Sequence, residues 1–320
     1  MPATRILEMT IEDAICATYE ALRRVAGVAR VDPARLERSR TAFLEDPALF
    51  DGDYAYARVQ DMVKKGDLFA ILTGLLSQNV YKTVVDVGCF DGRFFTAPMA
   101  RWLGSSGRVY GLDRFEPFDF NGDTSTPDIS FFDQNEVLDY VEGLHDSIGN
   151  LEFSACAFDR GTGLMEFNSD GALAVTGFRI PDAVSCYVAD AAIDAEASLI
   201  ALVPVGTGRM APTEPEFTPR SVYTRQPDLA LDKRQLHALL NLPYRMREVQ
   251  AADGGLPRYE PVTEADRFNY QVNMLAKQVV MLDRAKQLKE RGYDAQLMQY
   301  DDGFGLGTTG HHHFLIARRM

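Results

Sequence analysis

The sequence has few cysteines, and none of them has the spacing that marks a disulfide framework or a zinc site. Its four cysteines lie far apart and form no Cys-x-x-Cys pair; they are Cys16, Cys89, Cys156 and Cys186. Isolated cysteines are typical of reduced thiols in a cytosolic protein. We therefore expect a cytoplasmic location and no metal site.

Long apolar runs and an excess of positive charge are also missing. No run approaches the roughly 18 apolar residues of a membrane span, and acidic residues interrupt Met1–Arg24, so neither a transmembrane helix nor a signal peptide is expected. Lysine and arginine total 33 against 46 acidic residues, a net charge of −13. Proteins that bind nucleic acids or anionic membranes neutralise phosphates with basic residues, so neither partner is expected. A small-molecule substrate fits better, and a homo-oligomer is compatible with the sequence.

The chain has two parts with different secondary-structure patterns. Residues 1–80 contain helical patterns, such as the apolar stripe of Ile11–Val28 and the helix start at Asp32-Pro33, and no strand-like alternation before Tyr81. This predicts a helical N-terminal extension, or lid, over residues 1–80. Residues 81–320 are predicted to form the catalytic domain.

Residues 81–320 alternate between strand-like and helix-like segments. Predicted strands are Lys82–Gly88, Gly107–Asp113, Leu151–Phe158, Ser198–Val205, Tyr293–Tyr300 and His312–Ala317; predicted helices are Arg93–Leu103, Phe131–Ile148, Leu231–Leu240 and Glu264–Arg291. Alternation of this kind predicts parallel β-α-β units in a sheet covered on both faces.

A glycine-rich turn stands between the first strand and the first helix of this domain. In Asp86-Val-Gly-Cys-Phe-Asp-Gly92, glycine lets the backbone approach a ligand closely. The dinucleotide fingerprint G-x-G-x-x-G fails because Phe90 and Arg93 occupy two of its glycine positions, and no Gly-Lys-Ser/Thr follows for a P-loop. The turn therefore favours a nucleoside ligand without a pyrophosphate.

Asp113 ends the second strand, 25 residues after Gly88. A carboxylate there can accept both hydrogen bonds of a ribose diol, and carboxyl ends of neighbouring parallel strands are where ligands bind in open α/β sheets. The alternative is purely structural, with a tight turn at Gly88 and Gly92 and Asp113 as a strand-end cap.

These segments resemble the first two motifs of class I S-adenosylmethionine (SAM)-dependent methyltransferases. The Asp-Val-Gly-x-x-x-Gly form of the first motif is similar to the FkbM-type subgroup, and Ala155–Phe167 resembles the next segment of that subgroup. The resemblance implies a Rossmann-like α/β sheet, mostly parallel with an antiparallel last strand, and SAM as cofactor. The SAM-binding residues it implies are Asp86, Gly88, Cys89, Phe90, Gly92, Asp113, Arg114, Ala157 and Phe158.

The sequence departs from that subgroup after the strand that we take as the fourth. FkbM-type proteins carry an acidic Asp-x-Glu-Gly there, whereas Val203–Gly208 has no carboxylate. This absence favours one alternative, a non-catalytic binding module that keeps the fold.

Catalytic candidates come from the last third of the chain and from the segment before Ser198–Val205. His311 and His313 precede the last strand and would share one of its faces, as a base or as a pair of metal ligands, the alternative being a solvated loop end. Asp190 and Asp194, together with Tyr187, could contact an acceptor, although the two acids are more typical of solvated turns. Arg209, Arg220 and Arg225 lie in a proline-rich loop and could hold an anionic group, the alternative being a surface role.

The sequence as a whole predicts methyl transfer from SAM to a small-molecule acceptor. The donor is already activated, so positioning the nucleophile supplies most of the rate. A rival within the same fold is aminocarboxypropyl transfer or cyclisation that releases methylthioadenosine.

Overall fold

The computed structural model describes fewer than all of the residues. Described are residues 28–30, 81–89, 91–92, 95–115, 134–159, 161–168, 172–205, 220–221, 235, 238–239, 242–249, 258–299 and 313–320. Apart from residues 28–30, the predicted N-terminal extension lies outside these ranges, so its helical nature stays a prediction. Among the helices of the described part, none is long and apolar enough to cross a lipid bilayer.

Ten strands and four α-helices have bounds within these ranges. The strands are β1 (Val28–Arg30), β2 (Thr83–Val87), β3 (Arg108–Asp113), β4 (Leu151–Ala155), β5 (Leu173–Pro181), β6 (Leu199–Val205), β7 (Met246–Val249), β8 (Arg258–Pro261), β9 (Tyr293–Gln299) and β10 (His313–Arg319). The helices are α1 (Thr96–Leu103), α2 (Gln134–Ser147), α3 (Asp182–Asp194) and α4 (Glu264–Glu290). Short 3₁₀ turns span Gly104–Ser106 and Met165–Phe167.

The chain divides into two compact units. The turn-bearing unit comprises Asp32–Phe178 and Asp194–Ser198; the carboxyl-terminal unit comprises Met1–Val31, Arg179–Ile193 and Leu199–Met320.

The turn-bearing unit is built on four parallel strands in the order β4-β3-β2-β5. Its centre is apolar because β-branched residues follow one another without alternation: Val84, Val85 and Val87 of β2 are at most 1 % exposed. Such continuous burial is typical of a parallel strand covered on both faces.

The carboxyl-terminal unit carries the antiparallel end of the fold. Strand β10 pairs antiparallel with both β6 and β9, and β1 joins β9 in parallel. Helix α4 begins with a capping box in which the Thr263 hydroxyl accepts the Asp266 N–H at 3.1 Å, and the Asp266 carboxylate accepts the Thr263 N–H at 3.0 Å. The helix ends before Gly292, whose φ of 86° lies in the left-handed region that glycine tolerates.

The sequence prediction of a Rossmann-like sheet, mostly parallel with an antiparallel last strand, is confirmed by these strand orders. The strands after Lys82, Gly107 and Ser198, the long helix before Gly292 and the last two strands form close to their predicted bounds.

Five elements escape the sequence prediction: β1, the two strands of the β7–β8 hairpin, β5 and α3. Strand β1 contradicts the absence of a strand before Tyr81; it forms because the edge of β9 is open to it, a long-range pairing that no local pattern reveals. The hairpin β7–β8 is short and follows a proline-rich stretch.

Strand β5 and helix α3 occupy a stretch for which the sequence predicts neither a strand nor a helix. The strand contains Gly177, Thr176 and a terminal proline, which obscure its apolar pattern. Counted from β2, the first strand of the predicted domain, β5 is the fourth strand and β6, which corresponds to the predicted strand Ser198–Val205, is the fifth. Strand β5 belongs to the parallel part of the sheet because it pairs with β2. Asp190 and Asp194 therefore belong to a helix and are not turn acids.

Candidate functional site

The glycine-rich turn lies against the end of β3. Gly88 and Gly92 have φ values of 73° and 72°, which residues with a side chain rarely adopt. The Gly88 N–H donates to the Leu112 carbonyl at 2.7 Å. Since Asp113 is the next residue, this bond brings the turn and the second-strand carboxylate together, as the sequence predicted.

Asp113 is 8 % exposed at the carboxyl end of β3. Its carboxylate Oδ1 accepts the Phe115 N–H at 3.2 Å, and its carbonyl accepts the Cys156 N–H at 2.7 Å. The loop after β4 is thereby joined to the same strand end. Ala157, exposed, and Phe158, partly exposed, follow directly in that loop.

That loop is closed by an aspartate turn. Asp159 accepts the Gly161 N–H at 2.8 Å and the Thr162 hydroxyl at 3.1 Å, and these bonds hold the pKa of its carboxyl below the ordinary value. The turn gives Ala157 and Phe158 a defined backbone path beside Asp113.

Asp86 lies below the turn, within the sheet. It is 2 % exposed and accepts the Thr96 hydroxyl at 2.7 Å and the Thr176 hydroxyl at 3.0 Å. Thr176 faces it in the β2–β5 register, and Thr96 opens α1. Asp86 therefore links β2 to α1 and to β5. A contact between Asp86 and the amino group of SAM stays a prediction.

The ring of Phe153 fills the space that two glycines leave open. A Cβ added to Gly92 would lie 2.6 Å from Phe153 Cζ, and one added to Gly111 would lie 2.6 Å from Phe153 Cδ1. Phe153 also makes an edge contact with Phe115, with ring centroids 6.2 Å apart. Part of the glycine requirement is thus a packing requirement of the protein itself.

Negative charge is concentrated around the turn. The pKa of the Cys89 thiol is raised well above 9.0, first by burial and then by the charges of Asp86, Asp113 and Asp91. These three carboxylates are 2 %, 8 % and 6 % exposed. A neutral thiol among carboxylates is a poor nucleophile, whereas the surrounding potential suits a cation. Among the described residues, no group of three or more His, Cys, Asp or Glu is placed to hold a metal ion.

The remaining predicted site residues are less informative. Arg114 is exposed beside Asp113, and Phe90 and His311 lie outside the described residues. Tyr187 is 9 % exposed in α3, and His313 begins β10 opposite Gln299, the last residue of β9. Both belong to the carboxyl-terminal unit, and their catalytic roles stay predictions.

Anion binding, one of the two roles that the sequence allows for Arg220, is not supported by its surroundings. Its guanidinium forms a 3.0 Å ion pair with Asp190 of α3, and Gln287 of α4 donates to the same carboxylate at 2.7 Å. The backbone N–H groups of Arg220 and Ser221 bind the buried carboxylate of Asp283 at 2.9 and 3.0 Å. Arg220 thus fastens its segment to two helices.

Several residues of the site were not singled out by the sequence. Asp91 lies inside the glycine-rich motif, yet its burial depends on packing; the others are Thr96, Phe115, Phe153 and Thr176. Thr176 lies 90 residues after Asp86 and gives no local signal, because only the β2–β5 register places its hydroxyl beside the Asp86 carboxylate.

Comparisons with known proteins give distant likenesses only. No family model and no curated protein matches the chain. The O-methyltransferase TomG from Streptomyces achromogenes, solved in complex with SAM, is 14 % identical over 89 % of this chain and 98 % of its own, with a TM-score of 0.40. The Podospora anserina methyltransferase PaMTH1, solved with SAH bound, is 11 % identical over 97 % of this chain and 96 % of its own, with a TM-score of 0.36. At this distance neither the activity nor the acceptor of those proteins transfers to this chain.

Proposed function

We propose that this chain is a SAM-dependent methyltransferase that acts on a small-molecule acceptor. The observation that carries the proposal is the joining of the Gly88–Gly92 turn to Asp113 through the 2.7 Å bond from the Gly88 N–H to the Leu112 carbonyl. The glycine-rich turn and the Asp113 carboxylate are then adjacent at the carboxyl ends of the parallel strands β2 and β3. This edge is where α/β sheets bind nucleosides.

The chemistry of the donors fits SAM on two counts. The Asp113 carboxylate can accept hydrogen bonds from a ribose diol, and carboxylates form the stronger, charge-assisted kind. SAM also carries two cationic groups, a sulfonium and an ammonium, and three buried carboxylates surround the turn. A dinucleotide would instead bring two negative phosphates into this potential.

The residues expected to hold SAM lie in the turn-bearing unit. Asp113 would bind the ribose, the turn from Gly88 to Gly92 would pass beside the methionine part, and Ala157 and Phe158 would border the adenine. When bound, SAM supplies a methyl group already activated on sulfur. The protein then has to position the acceptor and exclude water, and Cys89, held as a neutral thiol, does not compete as a nucleophile.

The corrected strand order weakens the alternative of a non-catalytic module. FkbM-type proteins carry their acidic residue after the fourth strand, whereas Val203–Gly208 follows the fifth. After the true fourth strand, β5, the chain continues with Asp182. A carboxylate thus stands at that position in the sequence. The FkbM-type likeness, the cytoplasmic location and a homo-oligomeric state remain predictions.

Calorimetric titration with SAM tests the proposal. We expect binding by the wild type, and a loss of about ten- to a hundredfold in affinity for Asp113→Ala, since a charge-assisted contact contributes roughly 1.5–3 kcal/mol. Asp146→Ala is the matched control, because it removes an exposed carboxylate on α2 of the same unit. No binding by the wild type, or an equal loss in both variants, would refute the proposal.

Product analysis separates the two SAM chemistries. Incubation with SAM and a panel of small hydroxyl, amine and thiol acceptors should release S-adenosylhomocysteine. Release of methylthioadenosine instead would favour aminocarboxypropyl transfer or cyclisation.

A further inference from the structure

Phe115 has a backbone conformation that its side chain should disfavour. Its φ is 52°, and Glu196 is the only other described non-glycine residue with a positive φ. For a bulky residue this conformation is a true outlier, and such outliers persist where the surrounding structure holds them in place.

The side chain of Phe115 supplies the restraint. It is 8 % exposed and packs with Val137 and Val141 of α2, and Cys89 and Phe153 contact the same cluster. The edge contact with Phe153 places the Phe115 ring beside the residue that fills the space over the two glycines. Burying this ring offsets the strain of the left-handed backbone.

The strained backbone has a specific effect on the candidate site. It directs the Phe115 N–H to Asp113 Oδ1, at 3.2 Å, across two residues. A carboxylate that accepts an N–H from its own turn has fewer orientations open to it. The bond therefore fixes the carboxylate before any ligand arrives.

We infer that Phe115 is a positioning residue, which orients the Asp113 carboxylate for the ribose of SAM through its left-handed backbone. This inference rests on the proposed function. The Phe115 ring acts by holding the backbone, so the backbone conformation and the ring can be tested separately.

Paired alanine and glycine variants make that separation. Phe115→Ala and Phe115→Gly both remove the ring, but only glycine adopts a positive φ without strain. We expect Phe115→Gly to bind SAM about fivefold more tightly than Phe115→Ala, the equivalent of about 1 kcal/mol of backbone strain. In the Asp113→Ala background this difference should vanish, because the carboxylate that the backbone orients is gone.

Glu196 provides a matched control pair. Its φ is 54°, it is exposed, and it lies outside the candidate site. Glu196→Ala and Glu196→Gly should differ in urea midpoint but should bind SAM equally well. Equal SAM affinities for Phe115→Ala and Phe115→Gly, or a difference that persists with Asp113→Ala, would overturn the inference.

Urea unfolding without ligand distinguishes this inference from the proposed function. Asp113→Ala should lower the urea midpoint more in Phe115→Gly than in Phe115→Ala, because only the glycine variant keeps the bond to the carboxylate. An equal effect in both overturns the inference. A wild type that binds no SAM refutes the proposed function and the ribose role, while this cycle still decides whether the Phe115 backbone holds Asp113.

Discussion

Adding a single methyl group to Gly111 should destabilise the protein. The new Cβ would lie 2.6 and 2.7 Å from two Phe153 ring carbons and 2.9 Å from Cys89 Sγ, where ordinary contacts are 3.4–4 Å. The Phe153 ring cannot simply retreat, since a Cβ at Gly92 would also meet it at 2.6 Å. Overpacking of this kind costs about 1–3 kcal/mol, and the lower entropy of the unfolded alanine chain offsets about 0.4–1 kcal/mol of it. We expect a net loss of about 1–2 kcal/mol in the free energy of unfolding.

Gly143→Ala is the control, because the same chemical change should have the opposite sign there. Gly143 lies within α2 and has no atom within 4 Å of an added Cβ. Alanine in a helix interior is favoured over glycine by about 0.5–1 kcal/mol, so this variant should gain that much stability.

Urea unfolding followed by fluorescence measures both variants. The sequence contains one tryptophan, Trp102 of α1. It belongs to the same turn-bearing unit as Gly111 of β3, so its fluorescence reports on the unfolding of that unit. Combining Gly111→Ala with Phe153→Leu should recover part of the loss, because the smaller side chain removes the ring atoms that the methyl group meets. Overpacking against the Phe153 ring is refuted if Gly111→Ala is as stable as the wild type, or if Gly111→Ala costs the same stability with and without Phe153→Leu.

Two further predictions follow from the displaced pKa values. The pKa of the Asp266 carboxyl lies below its ordinary 3.8, and the largest cause is the hydrogen bond from the Thr263 hydroxyl. The ionised Asp266 carboxylate therefore stabilises the fold fully above pH 3.8, and this stabilisation is lost as the pH falls through the lower pKa of the folded state. Thr263→Ala should therefore unfold at lower urea than the wild type at pH 7, with a smaller difference at pH 3; a constant difference would contradict this role of the hydroxyl. The raised pKa of Cys89 keeps its thiol protonated at pH 8, so iodoacetamide should modify it far more slowly in the folded protein than in urea, as read by peptide mass spectrometry. Equal rates would show that the three carboxylates and burial do not suppress its ionisation.

Local patterns predicted the parts of the fold that are locally encoded. The β-branched run before Gly88 forms a strand because every residue from Val84 to Val87 can be buried. The long helix before Gly292 carries its own start and stop signals, a capping threonine and a left-handed glycine. The same holds for the turn and Asp113, because parallel strands place consecutive strand ends at one edge.

Elements that depend on distant partners were not predicted. Strand β5 was missed because its glycine and its threonine have meaning only beside β2, where Thr176 faces Asp86. For Arg220 the sequence allows anion binding or a surface role, since nothing in it reveals that Asp190 lies 3.0 Å away.

The sequence by itself determined the sheet type, the glycine-rich turn and the carboxylate that follows it, because backbone conformation and apolar periodicity are short-range properties. Only the tertiary structure decided what these residues do to one another. In the folded chain two threonine hydroxyls donate to Asp86, the Phe153 ring packs against two glycines, and the Phe115 N–H donates to Asp113. Each of these contacts joins side chains or backbone across strands or turns, and their energies arise only when packing removes water from between them.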